Sequence, residues 1–419
     1  MAMLVERRDN VVCISPVESL KMLVLSLFWG TWIVLKNGLF RAINTLPAGG
    51  RGSVSRRDCP PPCLTSTVYG THSYAKVKGV KFHYVECGDP KGTVVLLLHG
   101  FPSCWISWHQ QIPPLSKDFR VIAVDLKGFG DSDKPSSRKG YRVDNLVNEM
   151  VMFLSTIGVE ATRKCHVVGH DLGALLGWYL VHLRPEFVSK FVAISCPHPN
   201  VYWEYLPTSS FFNKNWICFS QLPYLPEMDA LQSDLKIINQ CYQHLIKTKQ
   251  KDDLAYIDAY KYTFSRTEDW TGAINYFRNL PFYRIDSRIN DTSTTINKDD
   301  QDVLHVPCLL ITGNDDDHVR MESVIKSTEY LKTFTLKIIE KSTHFPHQEQ
   351  PLAVNDILTS FLVPVKPTEE RPRRPNNSSM VERFRGLVTS TVQMGYSLKD
   401  TVQKRRTLST LQLKTLEFK

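Results

Sequence analysis

Short apolar stretches recur through the middle of the chain, and they constrain its fold more than any other feature. Most of them suit strands of a parallel sheet that is buried on both faces. Segments with helical spacing at 143–157 and 173–183 separate several of them. This alternation predicts an α/β fold with a mostly parallel sheet. The predicted strands lie at 77–85, 93–98, 120–125, 166–168, 191–194, 308–312 and 334–339.

The sharpest local pattern is the turn Gly169-His170-Asp171-Leu172-Gly173, which joins an apolar stretch to a helical segment. Glycines two residues before and after Asp171 permit a tight, strained turn that pushes the central side chain out above the sheet. This turn resembles the nucleophile elbow of α/β-hydrolases, whose central residue is Ser, Cys or Asp. The pattern alone is weak evidence, because small turns that contain Asp are common.

Three further features strengthen the hypothesis of a catalytic site. The loop His99-Gly100-Phe101 follows an apolar strand, and a loop there can aim a backbone N–H at a developing oxyanion. The acidic turn Asp315-Asp316-Asp317 follows the strand at 308–312, and His344 follows the strand at 334–339. Asp171, Asp316 and His344 thus stand in the chain order nucleophile, acid, histidine that α/β-hydrolases use.

Longer motifs make the resemblance specific. Over about residues 68–362 the chain resembles the epoxide hydrolases of the α/β-hydrolase fold, and it is most similar to their membrane-anchored, single-pass branch. The motifs are HGFP (99–102) with Trp105 and Gln110, DLKGFGDSDKP (125–135), GHDLGA (169–174), CPHPN (196–200), FSQLPYLPE (219–227), INYFRN (274–279) and STHF (342–345).

The resemblance implies a two-step mechanism without a metal or organic cofactor. Asp171 would attack an epoxide carbon and form a covalent ester, and His344, oriented by Asp316, would activate the water that hydrolyses it. The backbone N–H groups of Phe101 and Leu172 would hold the oxyanion. A shift of one residue would give the role of the acid to Asp315 or Asp317. The predicted substrate contacts are His99, Trp105 and Phe277.

The chain departs from the family at the two lid tyrosines that protonate the epoxide oxygen. One position holds Phe277, and the other falls in Trp216-Ile217-Cys218-Phe219, which contains no tyrosine. Tyr276 is the first replacement, although on a helix it should point about 100° away from position 277. The other possible replacements are Tyr202, Tyr205 and Tyr224. General-acid help is worth about 10²–10⁴ in rate, so we expect either weak epoxide hydrolysis or an electrophile that needs no acid.

Two other functions remain open at this point. A haloacid-type dehalogenase could use the same Asp171 nucleophile. Leu172 counts against a haloalkane dehalogenase, because many of those enzymes carry a halide-binding Trp there. The missing tyrosines would also suit a weakly active or inactive hydrolase-fold protein that binds a lipophilic ligand, whereas the intact Asp171, Asp316 and His344 favour an enzyme.

The net charge of +9 lies at the ends of the chain. Residues 1–70 hold eight Lys/Arg and four Asp/Glu, and residues 364–419 hold twelve and five, so the remainder carries a small negative charge. This distribution excludes a DNA-binding body, and we expect no nucleic-acid partner. The predicted organisation is an N-terminal membrane anchor (1–44), a linker (45–70), an α/β-hydrolase domain (71–363) with a lid at about 198–302, and a basic tail (364–419).

The anchor prediction rests on an apolar segment at 20–40 that is charged only at Lys21 and Lys36. A cleaved signal peptide and a buried core helix are the alternatives, and an uncleaved anchor fits best because Lys36-Asn37 is a poor cleavage site. The resemblance then implies a protein of the endoplasmic reticulum membrane that acts on small lipophilic substrates. In the tail, residues 380–405 show the spacing of either a basic amphipathic membrane helix or a marginal helix on a disordered segment.

Overall fold

The structure of the chain is a computed structural model that describes residues 11–43, 57–208, 213–248, 251–285 and 303–363. The predicted basic tail at 364–419, including its amphipathic stretch, lies outside the described residues. The first part of the predicted linker and residues 286–302 of the predicted lid also lie outside them.

Ten strands occur in the described residues. They are β1 (Val11–Cys13), β2 (Thr71–Val77), β3 (Val80–Cys87), β4 (Val94–Leu98), β5 (Arg120–Val124), β6 (Cys165–His170), β7 (Val188–Ile194), β8 (Tyr283–Ile285), β9 (Cys308–Gly313) and β10 (Phe334–Ile339). The predicted strand at 77–85 was wrong in one respect, because a turn divides it. Lys78 and Gly79 have φ angles of 48° and 85°, and they reverse the chain between β2 and β3.

Eight strands form the central sheet in the order β2-β3-β5-β4-β6-β7-β9-β10. The pairs from β5 to β10 are parallel, whereas β2 pairs with β3, and β3 with β5, in antiparallel register. Every residue of β4 and β6 is buried, as expected for central parallel strands with both faces covered. The prediction of an α/β fold with a mostly parallel sheet is confirmed.

Fifteen α-helices occur in the described residues, and several flank the sheet; α5, for example, packs on β6 and β7. They are α1 (Pro16–Ile43), α2 (Pro62–Thr65), α3 (Ile112–Leu115), α4 (Val143–Thr156), α5 (Leu172–Leu183), α6 (Pro199–Tyr202), α7 (Lys214–Ser220), α8 (Leu225–Ala230), α9 (Lys236–Cys241), α10 (Gln243–Thr248), α11 (Lys251–Thr263), α12 (Thr267–Phe277), α13 (Met321–Ser327), α14 (Pro346–Glu349) and α15 (Pro351–Leu362).

A helical insertion, called the lid below, comprises the described residues between β7 and β9. It contains α6 to α12 and the short strand β8. Strand β1 pairs with β8 in antiparallel register, so the N-terminal segment adds to the lid rather than to the central sheet. The carboxyl ends of β4, β6, β7, β9 and β10 lead into the loops that carry the candidate site, as is usual for open α/β sheets.

Candidate active site

Asp171 lies at the turn between β6 and α5. Its φ and ψ angles of 47° and −118° place it in a region that non-glycine residues rarely occupy, which marks local strain of the kind found at functional turns. Glycine is required at both flanking positions, because a larger side chain would collide with neighbouring backbone. A Cβ atom on Gly169 would come 2.5 Å from the Ala174 backbone, and one on Gly173 would come 2.2 Å from the Leu98 carbonyl oxygen.

The loop after β4 holds one oxygen of the Asp171 carboxylate. The backbone N–H of Phe101 donates a hydrogen bond of 2.9 Å to Oδ2 of Asp171. Gly100 permits this approach, because a Cβ atom there would come 2.9 Å from the Asp171 Cβ atom. Leu172 begins α5, and the first N–H groups of a helix have no partner within the helix. Of the two predicted oxyanion donors, Phe101 thus contacts the carboxylate, and Leu172 follows Asp171 directly at the start of α5.

His344 lies between two carboxylates. Its Nε2 atom is 3.7 Å from Oδ1 of Asp171, and its Nδ1 atom is 3.0 Å from Oδ2 of Asp316. The other oxygen of Asp316 accepts hydrogen bonds from the backbone N–H groups of His318 and Val319. All three side chains are largely buried. The structure thus brings together the three residues that the sequence predicted as nucleophile, acid and histidine.

The neighbouring acids do not share this position. Asp316 has a side chain that is only 2% exposed and touches His344, whereas Asp315 and Asp317 are exposed. Of the three acids in this turn, Asp316 is therefore the one that forms an ion pair with His344.

Electrostatic coupling favours the charged forms of Asp171, Asp316 and His344. Burial raises the pKa of Asp171, but the hydrogen bond and charge of His344 outweigh burial and lower it to about 2. The pKa of Asp316 is also lowered, because the charge of His344 outweighs the effect of burial. Burial lowers the pKa of His344, but the Asp316 and Asp171 carboxylates outweigh burial and raise it to about 10. The two carboxylates therefore favour the protonated form of His344.

Two residues that sequence analysis did not single out position the histidine loop. Glu349 accepts hydrogen bonds from the hydroxyls of Ser342 and Thr343, at 2.8 and 2.6 Å. His170 donates from Nε2 to the carbonyl oxygen of His344 at 2.8 Å. The position of His170 next to the nucleophile was a usable signal, but nothing in the local pattern marks Glu349.

Phe277 and Trp216 occupy the side of the site where lid tyrosines were expected. The Phe277 ring lies 4.9 Å from that of Phe101 and 5.0 Å from that of Trp216, measured between ring centroids. These rings belong to an apolar cluster beside Asp171. The cluster around Phe101 comprises Phe129, Trp216, Phe264, Trp270 and Phe277, with centroids 4.9 to 6.3 Å from Phe101.

Tyr276 points elsewhere. Its hydroxyl donates to the carbonyl oxygen of Lys127 at 3.0 Å, and its ring packs against Phe129 and Tyr141. Adjacent residues of a helix differ by about 100° in direction, so Phe277 can face the site only if Tyr276 does not. This contact argues against Tyr276 as the proton donor.

Of the other candidate tyrosines, Tyr202 is the one whose pKa is affected by the carboxylates of the site. Burial raises the pKa of the Tyr202 phenol, and the negative charges of Asp171 and Asp316 raise it further. Tyr205 instead contacts the ammonium of Lys326, and Tyr224 is 76% exposed. Tyr202 ends α6, which follows the sheet directly after β7.

Two predicted substrate contacts have different surroundings. His99 donates from Nδ1 to the carbonyl oxygen of Gly100 and accepts at Nε2 from the N–H of Leu126, so both ring nitrogens are engaged by backbone. Burial lowers the pKa of His99, in agreement with this neutral tautomer. Trp105 lines a separate cavity of about 470 Å³ with His72, His83 and Asp125. Neither placement supports the predicted substrate contact.

Within the ranges that the structure describes, no group of three or more His, Cys, Asp or Glu side chains could hold a metal ion. The groups that the structure brings together at the site are the two carboxylates, the histidine and the Phe101 N–H. An ionised carboxylate held by one N–H, with a histidine beside its second oxygen, suits nucleophilic attack followed by hydrolysis of the resulting ester.

The chain is similar in sequence to α/β-hydrolases, and in particular to epoxide hydrolases. The family described as alpha/beta hydrolase fold matches residues 93–217. Epoxide hydrolase 4 of Homo sapiens is 32% identical over 318 residues, which cover 73% of this chain and 83% of that protein. Epoxide hydrolase 3 of Xenopus tropicalis is 31% identical over 316 residues, covering 73% of this chain and 82% of that protein.

Solved structures give the same family. An epoxide hydrolase of Bacillus megaterium, crystallised with its product (R)-3-[1]naphthyloxy-propane-1,2-diol, is similar with a TM-score of 0.57 and 27% identity. The match covers 69% of this chain and 99% of that one. An epoxide hydrolase of Vigna radiata is similar with a TM-score of 0.56 and 27% identity, over 71% of this chain and 99% of that one. These matches confirm the predicted α/β-hydrolase fold.

Proposed function

The chain belongs to the epoxide hydrolase family of the α/β-hydrolase fold, and we therefore propose that it converts lipophilic epoxides to vicinal diols through a covalent ester on Asp171. The observation that carries this proposal is the position of His344, 3.7 Å from Asp171 and 3.0 Å from Asp316. A nucleophile, a base and an orienting acid are the groups that a two-step ester mechanism needs.

In the first step, Asp171 attacks an epoxide carbon. Its pKa of about 2 keeps the carboxylate ionised at neutral pH. Because Oδ2 is held by the Phe101 N–H, Oδ1 is the oxygen that forms the new C–O bond. The C–O bond of the epoxide breaks, and its electron pair becomes an alkoxide that must gain a proton.

In the second step, water hydrolyses the ester. Esterification removes the charge of Asp171, which is one of the two charges that hold the proton on His344. The pKa of His344 then falls, and the neutral imidazole can take a proton from water. The hydroxide adds to the ester carbon, and the N–H groups of Phe101 and Leu172 stabilise the oxyanion. Collapse releases the diol and restores the carboxylate, which now carries the oxygen of the water.

Tyr202 is our proposed proton donor to the alkoxide. Its phenol remains protonated at neutral pH because burial and the charge of Asp171 raise its pKa. The proton that His344 loses after esterification balances the proton that the alkoxide gains. This assignment predicts that Tyr202→Phe slows ester formation, by a factor within the range of about 10²–10⁴ that general acids supply. Phe277→Tyr should accelerate ester formation, because it restores a hydroxyl beside Phe101.

The substrate class follows from the apolar cluster. Six aromatic rings, including that of Phe101, lie beside the nucleophile, and they favour an apolar substituent on the epoxide. The Bacillus megaterium relative binds a naphthyloxy diol, which is a product of this kind. Fatty-acid epoxides are one such class, and a panel that varies chain length and aromatic content would rank them.

We also propose that the protein is attached to a membrane through α1, at the endoplasmic reticulum. Its residues Pro16–Leu35 are long and apolar enough to cross a bilayer, and most of their side chains are not buried. Fractionation of cells that express the full chain, with and without residues 1–44, tests this attachment.

The decisive experiment is an assay of the purified full chain in detergent against a panel of lipophilic epoxides. Wild type should produce diol, Asp171→Asn should not, and the first turnover in H₂¹⁸O should label Asp171 rather than the diol. If neither wild type nor Phe277→Tyr turns over any epoxide, the proposal fails. Release of halide from a haloacid, or tight ligand binding without any adduct on Asp171, would instead favour one of the two alternative functions.

A further inference from the structure

Helix α1 is attached to the lid at two separated points. At its start, β1 pairs with β8, and the Ile14 N–H donates to the carbonyl oxygen of Phe282 at 2.9 Å. Near its middle, Gly30 lies against Leu222, so closely that a Cβ atom on Gly30 would come 1.9 Å from Cδ1 of Leu222. About 21 Å of helix separates Pro16 from Gly30, and α1 packs along α7 in this region.

The two faces of α1 differ. One side carries the buried or half-buried residues that face the lid, at spacings of three and four residues: Ser19, Met22, Ser26, Trp29, Gly30 and Ile33. The opposite side carries apolar residues that are each more than half exposed: Val17, Leu20, Leu23, Val24, Leu27, Phe28, Trp32 and Leu35. Thr31 is an exposed polar residue among them, and an apolar surface of this extent on the outside of a folded domain marks an interaction site.

The polar groups of α1 are arranged for an apolar surrounding. The hydroxyls of Ser26 and Thr31 donate back to the carbonyl oxygens of Met22 and Leu27, at 2.6 and 2.8 Å. Neither hydroxyl therefore needs water, which is the condition for burial in hydrocarbon. Lys21 lies near the start of the stripe, where its long stem can carry the ammonium to the headgroup layer.

The contact between Gly30 and Leu222 of the lid restricts the orientations that α1 can adopt in a bilayer. A helix that crosses the membrane has hydrocarbon around its middle, over a thickness of about 30 Å. Here the middle of α1 is covered by Leu222, whose carbonyl oxygen accepts a hydrogen bond from Arg278. Arg278 also forms a buried ion pair with Glu227 at 2.8 Å. Such a charged lid cannot enter the hydrocarbon core with the helix.

We infer that α1 lies in the plane of the membrane surface, with its exposed stripe in the lipid and its other face on the lid, rather than crossing the bilayer. This inference rests on the proposed membrane attachment and departs from the single-pass topology that the sequence favoured. The apolar face of an in-plane helix enters the bilayer by about 5–10 Å. The lid is then held against the lipid surface.

This arrangement connects the membrane to the substrate site. Helix α7, on which α1 packs, carries Trp216, and the Trp216 ring lies 5.0 Å from Phe277 and 5.9 Å from Phe101. One helix layer therefore separates the lipid from the apolar wall beside Asp171. A lipophilic epoxide dissolved in the bilayer reaches the site through the lid, without passing through bulk water.

A disulfide cross-link tests the in-plane arrangement directly. The double variant Gly30→Cys/Leu222→Cys, in the full chain bound to phosphatidylcholine–phosphatidylserine vesicles, should cross-link on oxidation as readily as in detergent. The matched control Thr31→Cys/Leu222→Cys should give roughly tenfold less cross-link, because position 31 points away from the lid. Peptide mass spectrometry identifies the pair. A cross-link that forms in detergent but not on vesicles would overturn the inference.

A second set of variants identifies the occupant of the stripe. Val24→Glu/Phe28→Glu should weaken vesicle flotation by more than roughly tenfold, whereas Leu352→Glu, at an 80% exposed leucine on α15, should not. Loss of a dimer instead of lipid binding would show that a second copy covers the stripe, and the inference would fail. Turnover of a water-soluble epoxide in detergent should be unchanged in every variant, so that failure of the catalytic proposal is recognised separately.

Discussion

Replacing His344 with glutamine should stop the reaction after its first chemical step. Glutamine keeps a polar side chain but has no basic nitrogen. Asp171 can still attack, because the Phe101 N–H continues to hold Oδ2 at 2.9 Å. Hydrolysis of the ester requires the base, and it should slow by about 10²–10⁴, which corresponds to roughly 3–5 kcal/mol in the barrier. The variant should therefore accumulate the covalent intermediate.

Removal of His344 also changes the ionisation of Asp171. The charge of His344 is what offsets burial and lowers the pKa of Asp171 to about 2. Without that charge, burial raises the pKa of Asp171. An assay at about pH 8, roughly four units above the ordinary Asp value, keeps the carboxylate ionised and separates this effect from the loss of the base.

The assay combines a burst measurement with intact-protein mass spectrometry. The His344→Gln variant should consume about one equivalent of epoxide, gain the mass of one epoxide, and carry it on the peptide that contains Asp171. The control is His318→Gln, since the His318 ring lies 4.8 Å from that of His344 but not between the two carboxylates. Full turnover by His344→Gln, or an adduct on another residue, would refute the mechanism.

Three further predictions concern the acid, the turn and the core. Asp316→Asn should lower kcat by about 10²–10⁴ because it no longer orients or charges the histidine, while Asp315→Asn, an exposed neighbour, should not change it. Gly173→Ala should lower the free energy of unfolding by about 1–3 kcal/mol, because its Cβ would lie 2.2 Å from a carbonyl oxygen of β4, whereas Gly140→Ala should be tolerated; urea denaturation measures both. Burial raises the pKa of Asp125, but its hydrogen bond and charge interaction with His83 outweigh burial and lower it to about 2, from 3.8. Its ionised form therefore contributes about 2 kcal/mol above pH 4 that is lost as pH falls toward 2. The difference in unfolding free energy between wild type and Asp125→Asn should shrink over that range, and a constant difference would contradict the assignment.

Local sequence patterns were sufficient for the central parallel strands and for the tight turn at Asp171. Apolar stretches predicted the central strands because burial on both faces favours apolar side chains. The glycines around Asp171 were informative because a Cβ at either position would collide with backbone. The turn at Lys78-Gly79 was missed, because a short alternating stretch gives no sign that two of its residues adopt positive φ angles.

Other features depended on contacts between residues far apart in the chain. The contact of Asp316, rather than its neighbours, with His344 follows from the packing of loops that the sequence does not order in space. The same packing sets the bonds of the His99 ring to backbone groups and of the Trp105 backbone N–H to the Asp125 carboxylate. The direction of Tyr276 depends on the Lys127 carbonyl, 149 residues away.

For the N-terminal helix, too, the sequence determines some properties and tertiary contacts determine others. Composition alone identifies α1 as an apolar helix long enough for a membrane. Its contacts with Phe282 and Leu222 of the lid decide which face remains exposed, and composition cannot reveal them. Hydrophobic periodicity and turn residues are short-range properties, so they can be read directly from the sequence. The direction of a side chain and the partner of a helix face are set by long-range packing, which only the tertiary structure decides.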